Sequence, residues 1–139
     1  MGNILFRDMV KNIDINTSKG KEVIDITERI EELLPKKSGI CMLFIKHTSA
    51  AIATAELDPG TDLDMLDAFD DMVPNLDYRH PHDPSHVGDH ILSTLIGSSI
   101  SIPVVNGSLN LGTWQRVVVF EFNGPRLRSV VVRFLEMDD

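Results

Sequence analysis

Four of the chain's five histidines, His80, His82, His86 and His90, lie within an eleven-residue window; the fifth, His47, stands apart. Imidazole is largely neutral near pH 7, and a neutral ring offers the lone pair that Zn²⁺ favours. His86 and His90 are four residues apart on a segment with helical periodicity, so both can reach one point. That periodicity puts His90 at the border of the apolar face and His86 further toward solvent. His82 and His86 read equally as exposed loop and helix-start residues. His47 closes a continuous apolar run and is followed by Thr48-Ser49-Ala50-Ala51. A polar residue at the mouth of a central strand is well placed for a site. The Thr48 and Ser49 hydroxyls can donate to a phosphate or orient the imidazole. Pairing of His47 with a backbone carbonyl is the simpler alternative. A divalent metal, zinc by the chemistry of its donors, is thus expected on these rings, with His47 and His90 the first candidates as ligands.

Glu56 and Asp58 follow on the next segment. A carboxylate near imidazoles can ligate a metal, fix a ring tautomer or act as general base. Asp58-Pro59-Gly60 is also ordinary turn chemistry. Gly112-Thr113-Trp114-Gln115-Arg116 combines close backbone approach, a flat stacking surface and, in Gln115, a donor for an oxyanion. Arg126 and Arg128 sit two apart after Asn123-Gly124-Pro125, on one face of an expected strand. They form a fork for phosphate, or else an ion pair with Glu121 or a subunit contact.

These side chains need a scaffold. A length of 139 residues sets the expectation of one domain, and 42% apolar composition suffices for a packed core. Residues 3–17 read as a strand or two, and 25–34 as a helix, with Asp25 and Glu28 as a capping pair and Pro35 as its stop. Gly39–Lys46 has the unbroken apolarity of a strand covered on both faces. A short strand over 50–56 precedes a helix capped by Thr61 with Leu63, Leu66, Phe69 and Val73 on its apolar side. Residues 74–85 form a long polar loop, of the kind that is often functional. A helix over 86–96 stops at Gly97. Strands are expected over 100–105, 108–122 (bent at Gly112) and 126–135, with Asn106-Gly107 as a hairpin turn. The order gives an α+β fold, a sandwich of mixed or antiparallel sheet with about three helices.

The formal charge of −8 argues against unaided binding to nucleic acid or an anionic membrane. The lone Cys41 lies in an apolar run, which fits a buried hydrophobe in a reducing cytoplasm. The start of the chain lacks a signal-peptide pattern, and no apolar run approaches the ~20 residues of a membrane span.

Taken together, His47-Thr48-Ser49-Ala50-Ala51, Glu56 with Asp58-Pro59, Tyr78 with His80, and His90 resemble the YjbQ-like family. So do Ser101-Ile102-Pro103-Val104, Leu111-Gly112-Thr113-Trp114-Gln115 and Glu121 with Gly124-Pro125-Arg126 and Arg128. The resemblance runs from about residue 4 to residue 134. It implies a compact α+β sandwich that assembles as a homotrimer, with a histidine-rich pocket near subunit boundaries able to hold a divalent metal or an anion. It also implies a weak thiamine-phosphate synthase activity, coupling a thiazole phosphate to an aminopyrimidine pyrophosphate. By motif match His47, Glu56, His80 and His90 take the polar site positions, and Gln115 and Arg126 line the pocket. The chain departs from the family where relatives carry Asn-Glu-Asn-x-Asp-Pro: here Ala55-Glu56-Leu57-Asp58-Pro59 lacks both amides and is one residue shorter.

Three functions follow as expectations. The first is a transferase on phosphorylated small molecules, although no glycine-rich phosphate loop is visible. The second is a metal-dependent hydrolase, with water on His47, His80 and His90 and Glu56 or Asp58 as base. The third is a non-catalytic trimer that binds a metal or metabolite.

Overall fold

A computed structural model describes residues 8–138. Its centre is the apolar run noted above, which forms strand β3 (Gly39–Ile45). Antiparallel neighbours flank it: β8 (Leu127–Glu136) on one side and β5 (Ser99–Val105) on the other. β1 (Asp8–Asn16) extends the sheet beyond β8, and the two-residue β6 (Ser108–Leu109) extends it beyond β5. A second sheet has β7 (Arg116–Glu121) at its centre, between β2 (Glu22–Asp25) and β4 (Ala50–Ala55), all antiparallel.

Alternation decides how the two sheets meet. Cys41, Leu43 and Ile45 of β3 and Val130, Val132 and Phe134 of β8 point inward and are almost fully buried. They pack on Ile52, Val117 and Val119 of the second sheet and on Ile26 and Ile30. The next residues along β7, Val118 and Phe120, point the other way, onto Phe69 of helix α2 (Thr61–Met72) and Leu92 of helix α3 (Val87–Ile96). β7 is therefore buried on both faces, and the layers run sheet, sheet, helices. β3 differs from the expectation of two covered faces: Met42 and Phe44 on its outer side are 42% and 43% exposed. Cys41 is buried, and burial pushes its thiol up to about 11, so it acts as the small hydrophobe expected. Among the described residues, no helix is long and apolar enough to cross a membrane.

The α+β class, the helices α2 and α3 and most strands stand where the sequence places them. Other expectations are corrected. The helix over 25–34 shortens to a single turn, α1 (Thr27–Glu31): at its start Asp25 pairs with β7 as the last residue of β2, and the helix ends at Glu31. Asp25 accepts from the Thr27 N–H and hydroxyl, but Ile26 holds the cap position, and Glu28 pairs with Arg116 instead of closing a capping box. The long strand over 108–122 is two strands in different sheets, separated by a loop that Gln115 Oε1 closes by accepting from Gly112 N–H. Thr61 is the first residue of α2 rather than its cap; Gly60 holds that position at φ +92°, a conformation glycine adopts freely. Residues 3–7 of the first expected strand lie outside the described part.

At Gly39 the ladder leaves no room: a Cβ there would lie 1.9 Å from the Leu135 carbonyl oxygen. We expect Gly39→Ala to lower stability by about 1–3 kcal/mol through strand displacement. An unchanged urea midpoint would contradict this packing.

Candidate functional site

His47, Thr48 and Ser49 carry the chain from β3 in one sheet to β4 in the other, and each is held by a different bond. Lys46 N–H donates to Ser129 C=O as the last step of the β3–β8 ladder. In such a pair the return bond would run from Ser129 N–H to a main-chain carbonyl. Ser129 N–H donates instead to His47 Nε2, at 2.8 Å. Thr48 C=O accepts from Nδ1 of His90 at 2.8 Å. Ser49, buried, accepts from Arg128 Nη2 at both its hydroxyl (2.8 Å) and its carbonyl (3.1 Å).

Arg128 is itself buried with Glu121, which is fully buried. Arg128 Nε donates to Glu121 Oε2 at 2.8 Å, and its Nη2 donates to Oε1. The Thr17 hydroxyl and the Asn123 N–H donate to the same carboxylate. Burial by itself would raise the Glu121 carboxyl; the bonds from Arg128, Asn123 and Thr17 outweigh it and hold the group below its ordinary value. Of the roles open to Arg128, the ion pair is the one formed, and its guanidinium does not fork with Arg126. Arg126 is exposed, with Nε donating to Asn123 C=O at 2.7 Å.

His47 and His90 line one cavity of about 580 Å³, with Thr48, Ser93, Thr94, Gly97 and Ser98. His80 stacks on His90, ring centroids 5.3 Å apart. His90 thus shares a cavity with His47 and a stacking contact with His80, which is not among the residues lining that cavity. His82 lies 6.0 Å from His80 ring to ring, and His86 bridges the Asp83 and Asp89 carboxylates. Burial lowers the pKa of His47, and the charges of Arg128, Lys46 and Arg126 lower it further, against an opposing pull from Glu121.

The hydrogen bonds test whether these rings suit a metal. A neutral imidazole has one lone pair. That of His47 is on Nε2 and takes the Ser129 N–H. That of His80 is on Nδ1 and takes the N–H groups of His82 and Asp83 at 3.3 and 3.2 Å. Only His90, whose Nδ1–H donates to Thr48, keeps a lone pair free, on Nε2. Three such donors do not fit a three-histidine zinc, and among the described residues no group of three or more His, Cys, Asp or Glu side chains is arranged to hold a metal ion.

Glu56 and Asp58 stand elsewhere. β4 separates them from His47–Ser49 by roughly 20 Å at ~3.3 Å per residue. They line a smaller cleft with Asp25, Thr113, Trp114 and Arg116. Glu56 there accepts from the Asp58 N–H, Arg116 bridges Asp25 and Glu28, and the Trp114 ring is 69% exposed. Gln115 faces its own loop through Gly112. Within one protomer the two carboxylates therefore do not serve the histidine cavity. Sequence reasoning missed Ser93, Thr94, Ser98 and Ser129. Ser93 and Thr94 lie three and four residues after His90, so helical spacing alone could have placed them beside it. Ser129 gave no such signal, because it acts through its main chain.

A sequence profile described as UPF0047 protein YjbQ-like matches residues 11–137. The chain belongs to this family. It is 36% identical to a UPF0047 protein of Archaeoglobus fulgidus over 88% of its own length and 98% of the relative's. It is also 36% identical to the UPF0047 protein YugU of Bacillus subtilis, with 91% and 99% covered. A crystal structure of a YjbQ/UPF0047 family protein from Clostridium acetobutylicum superposes with TM-score 0.81 at 36% identity, covering 89% of this chain and 98% of that one. One from Sulfolobus solfataricus, of unknown function, gives 0.88 at 30% identity, with 96% and 100% covered.

Removing one partner of a buried ion pair leaves a charge without compensation. We expect Arg128→Met to lower stability by about 3–5 kcal/mol near pH 7. Glu121 has a lowered folded pKa, so its contribution is present above the unfolded value of about 4.3 and lost as pH falls through the folded one. Glu121→Gln should flatten part of the acid-side fall in the urea midpoint between about pH 5 and 3. An unchanged profile would remove Glu121 from acid unfolding.

Proposed function

We propose that the His47–His90 cavity binds the phosphate end of a small phosphorylated molecule. The observation that carries this reading is a net excess of positive charge about His47 in a chain of net charge −8: Arg128, Lys46 and Arg126 act on it against Glu121, and because Glu121 pairs with Arg128 the excess is that of Lys46 and Arg126. One feature of the cavity opposes an anion. Ser93, Thr94 and Gly97 belong to the carboxyl end of α3, which carries roughly half a negative charge. Lys46 and Arg126 each carry a full positive charge, so the balance favours the anion. The hydroxyls of Thr48, Thr94 and Ser98 add hydrogen-bond donors.

The reaction proposed for this site is thiamine-phosphate synthase-like: a thiazole phosphate joins an aminopyrimidine pyrophosphate, and pyrophosphate leaves. Both substrates are phosphorylated, and cationic groups around a leaving pyrophosphate would act electrostatically. The zinc-hydrolase reading finds less support, since backbone N–H groups occupy two of the three lone pairs it needs. We place the protein in the cytoplasm on its single buried thiol.

We further propose a homotrimer. Its support is the uncovered side of the five-stranded sheet, where Ile40 lies opposite Pro103 and Leu135, and Phe44 opposite Val131. Val10 and Val105 on the same sheet are 54% and 50% exposed.

Calorimetric titration with inorganic phosphate and with pyrophosphate tests the anion reading. Binding should weaken about tenfold in Arg126→Ala, the loss expected for one charge-assisted contact. No binding to either ion would overturn the reading, and binding without turnover of the two thiamine precursors would leave a metabolite-binding module. Metal analysis of untagged protein should give well under one zinc per chain; stoichiometric zinc would mean that the rings reorient or that a second chain completes the coordination. Light scattering should report a trimer, and Phe44→Glu a smaller species with an unchanged far-ultraviolet spectrum. A monomeric wild-type chain at micromolar concentration would refute the assembly.

A further inference from the structure

We infer that His47 serves the cavity as a fixed, neutral hydrogen-bond donor through Nδ1–H, selecting for a ligand oxygen that accepts and against a cation or metal that needs a lone pair. This rests on the anion reading of the cavity and specifies the chemistry at one of its walls. Backbone N–H can only donate, so the 2.8 Å bond from Ser129 N requires the lone pair on His47 Nε2. A neutral ring with its lone pair on Nε2 carries its hydrogen on Nδ1. Nδ1 is then the one polar ring atom left for the cavity that His47 lines.

The tautomer is fixed by the sheet. β3 and β8 part after Ile45, and Lys46 N–H still reaches Ser129 C=O at 3.2 Å. The imidazole stands in for the missing main-chain acceptor at that rung. A ring that offered its Nε2 to a ligand would strand the Ser129 N–H. Neighbouring residues hold the same segment in place: Arg128 grips Ser49, and His90 grips Thr48. The ring therefore presents the same polarity before and after a ligand arrives.

Two near-isosteric variants separate its two nitrogens. In His47→Gln, the amide oxygen can replace Nε2 as acceptor for Ser129, and no donor remains at the Nδ1 position. In His47→Asn, the amide nitrogen replaces Nδ1–H, and Ser129 loses its acceptor. With inorganic phosphate and pyrophosphate as probes, the Gln variant should keep its melting temperature to within about 3 °C yet bind at least about tenfold more weakly. The Asn variant should melt several degrees lower and keep affinity to within about threefold. Long-range ¹H–¹⁵N correlation of the wild-type chain should show His47 protonated at Nδ1 alone, both free and with phosphate. Wild-type affinity in the Gln variant, or a hydrogen on Nε2, overturns the donor assignment even where phosphate binds. Failure of the wild-type chain to bind either ion, with the Nδ1–H tautomer observed, overturns the anion reading and with it the ligand role of the ring, not the tautomer.

Discussion

Arg128 and Glu121 are full charges placed where water does not reach, and the site depends on their being there together. An isolated buried charge is strongly unfavourable, so each group is tolerable only beside the other. The pair is not a large source of net stability, because desolvation offsets most of the Coulomb attraction. Its consequence is geometric. Glu121 ends β7 in one sheet, Arg128 sits near the start of β8 in the other, and the guanidinium reaches on to Ser49 at the head of β4. One ion pair thereby fixes the spacing of the two sheets at the point where the chain crosses between them. Thr17 adds the end of β1 through the same carboxylate.

That crossing explains why the histidine cavity lies where it does. Two sheets that diverge leave unpaired main-chain groups at the last rung, and buried or half-buried groups of that kind require partners. Here the partners are side chains: His47 for Ser129, His90 for Thr48, Arg128 for Ser49. Closing the ladder in this way brings two imidazoles and several hydroxyls to one opening.

Much of this was legible in the sequence, for identifiable reasons. β3 and β4 announce themselves by apolar runs of strand length, and α3 by its periodicity and by Gly97. The meeting of His47 and His90 at one cavity was likewise suggested by their types and positions. The break between β6 and β7 was not, because Gly112 and Gln115 close the loop through a side chain, and no composition rule distinguishes that from a bent strand. β2 was not read at all, because four residues between a turn and a helical turn carry too short a pattern to show a period. The three readings of Arg128 could not be separated without knowing that residues 121 and 128 face each other inside the core.

Residue type and proximity, even when both are right, leave the polarity of a site undecided. Histidine suits zinc only through an unshared lone pair, and phosphate only through an N–H. Counting rings cannot distinguish these cases; tracing each ring nitrogen to its partner can. For His47 and His80 the partners are backbone N–H groups, which have no alternative role as acceptors and so leave no freedom in the assignment. For His90 the partner is a carbonyl, which fixes the opposite tautomer and turns its lone pair toward Nε2. The cavity thus carries donors at His47 and at its hydroxyls, with one basic nitrogen at His90. A phosphate monoester in its monoanionic form can use both, its unprotonated oxygens accepting from the donors while its P–OH donates to the base. A metal ion could use only the last.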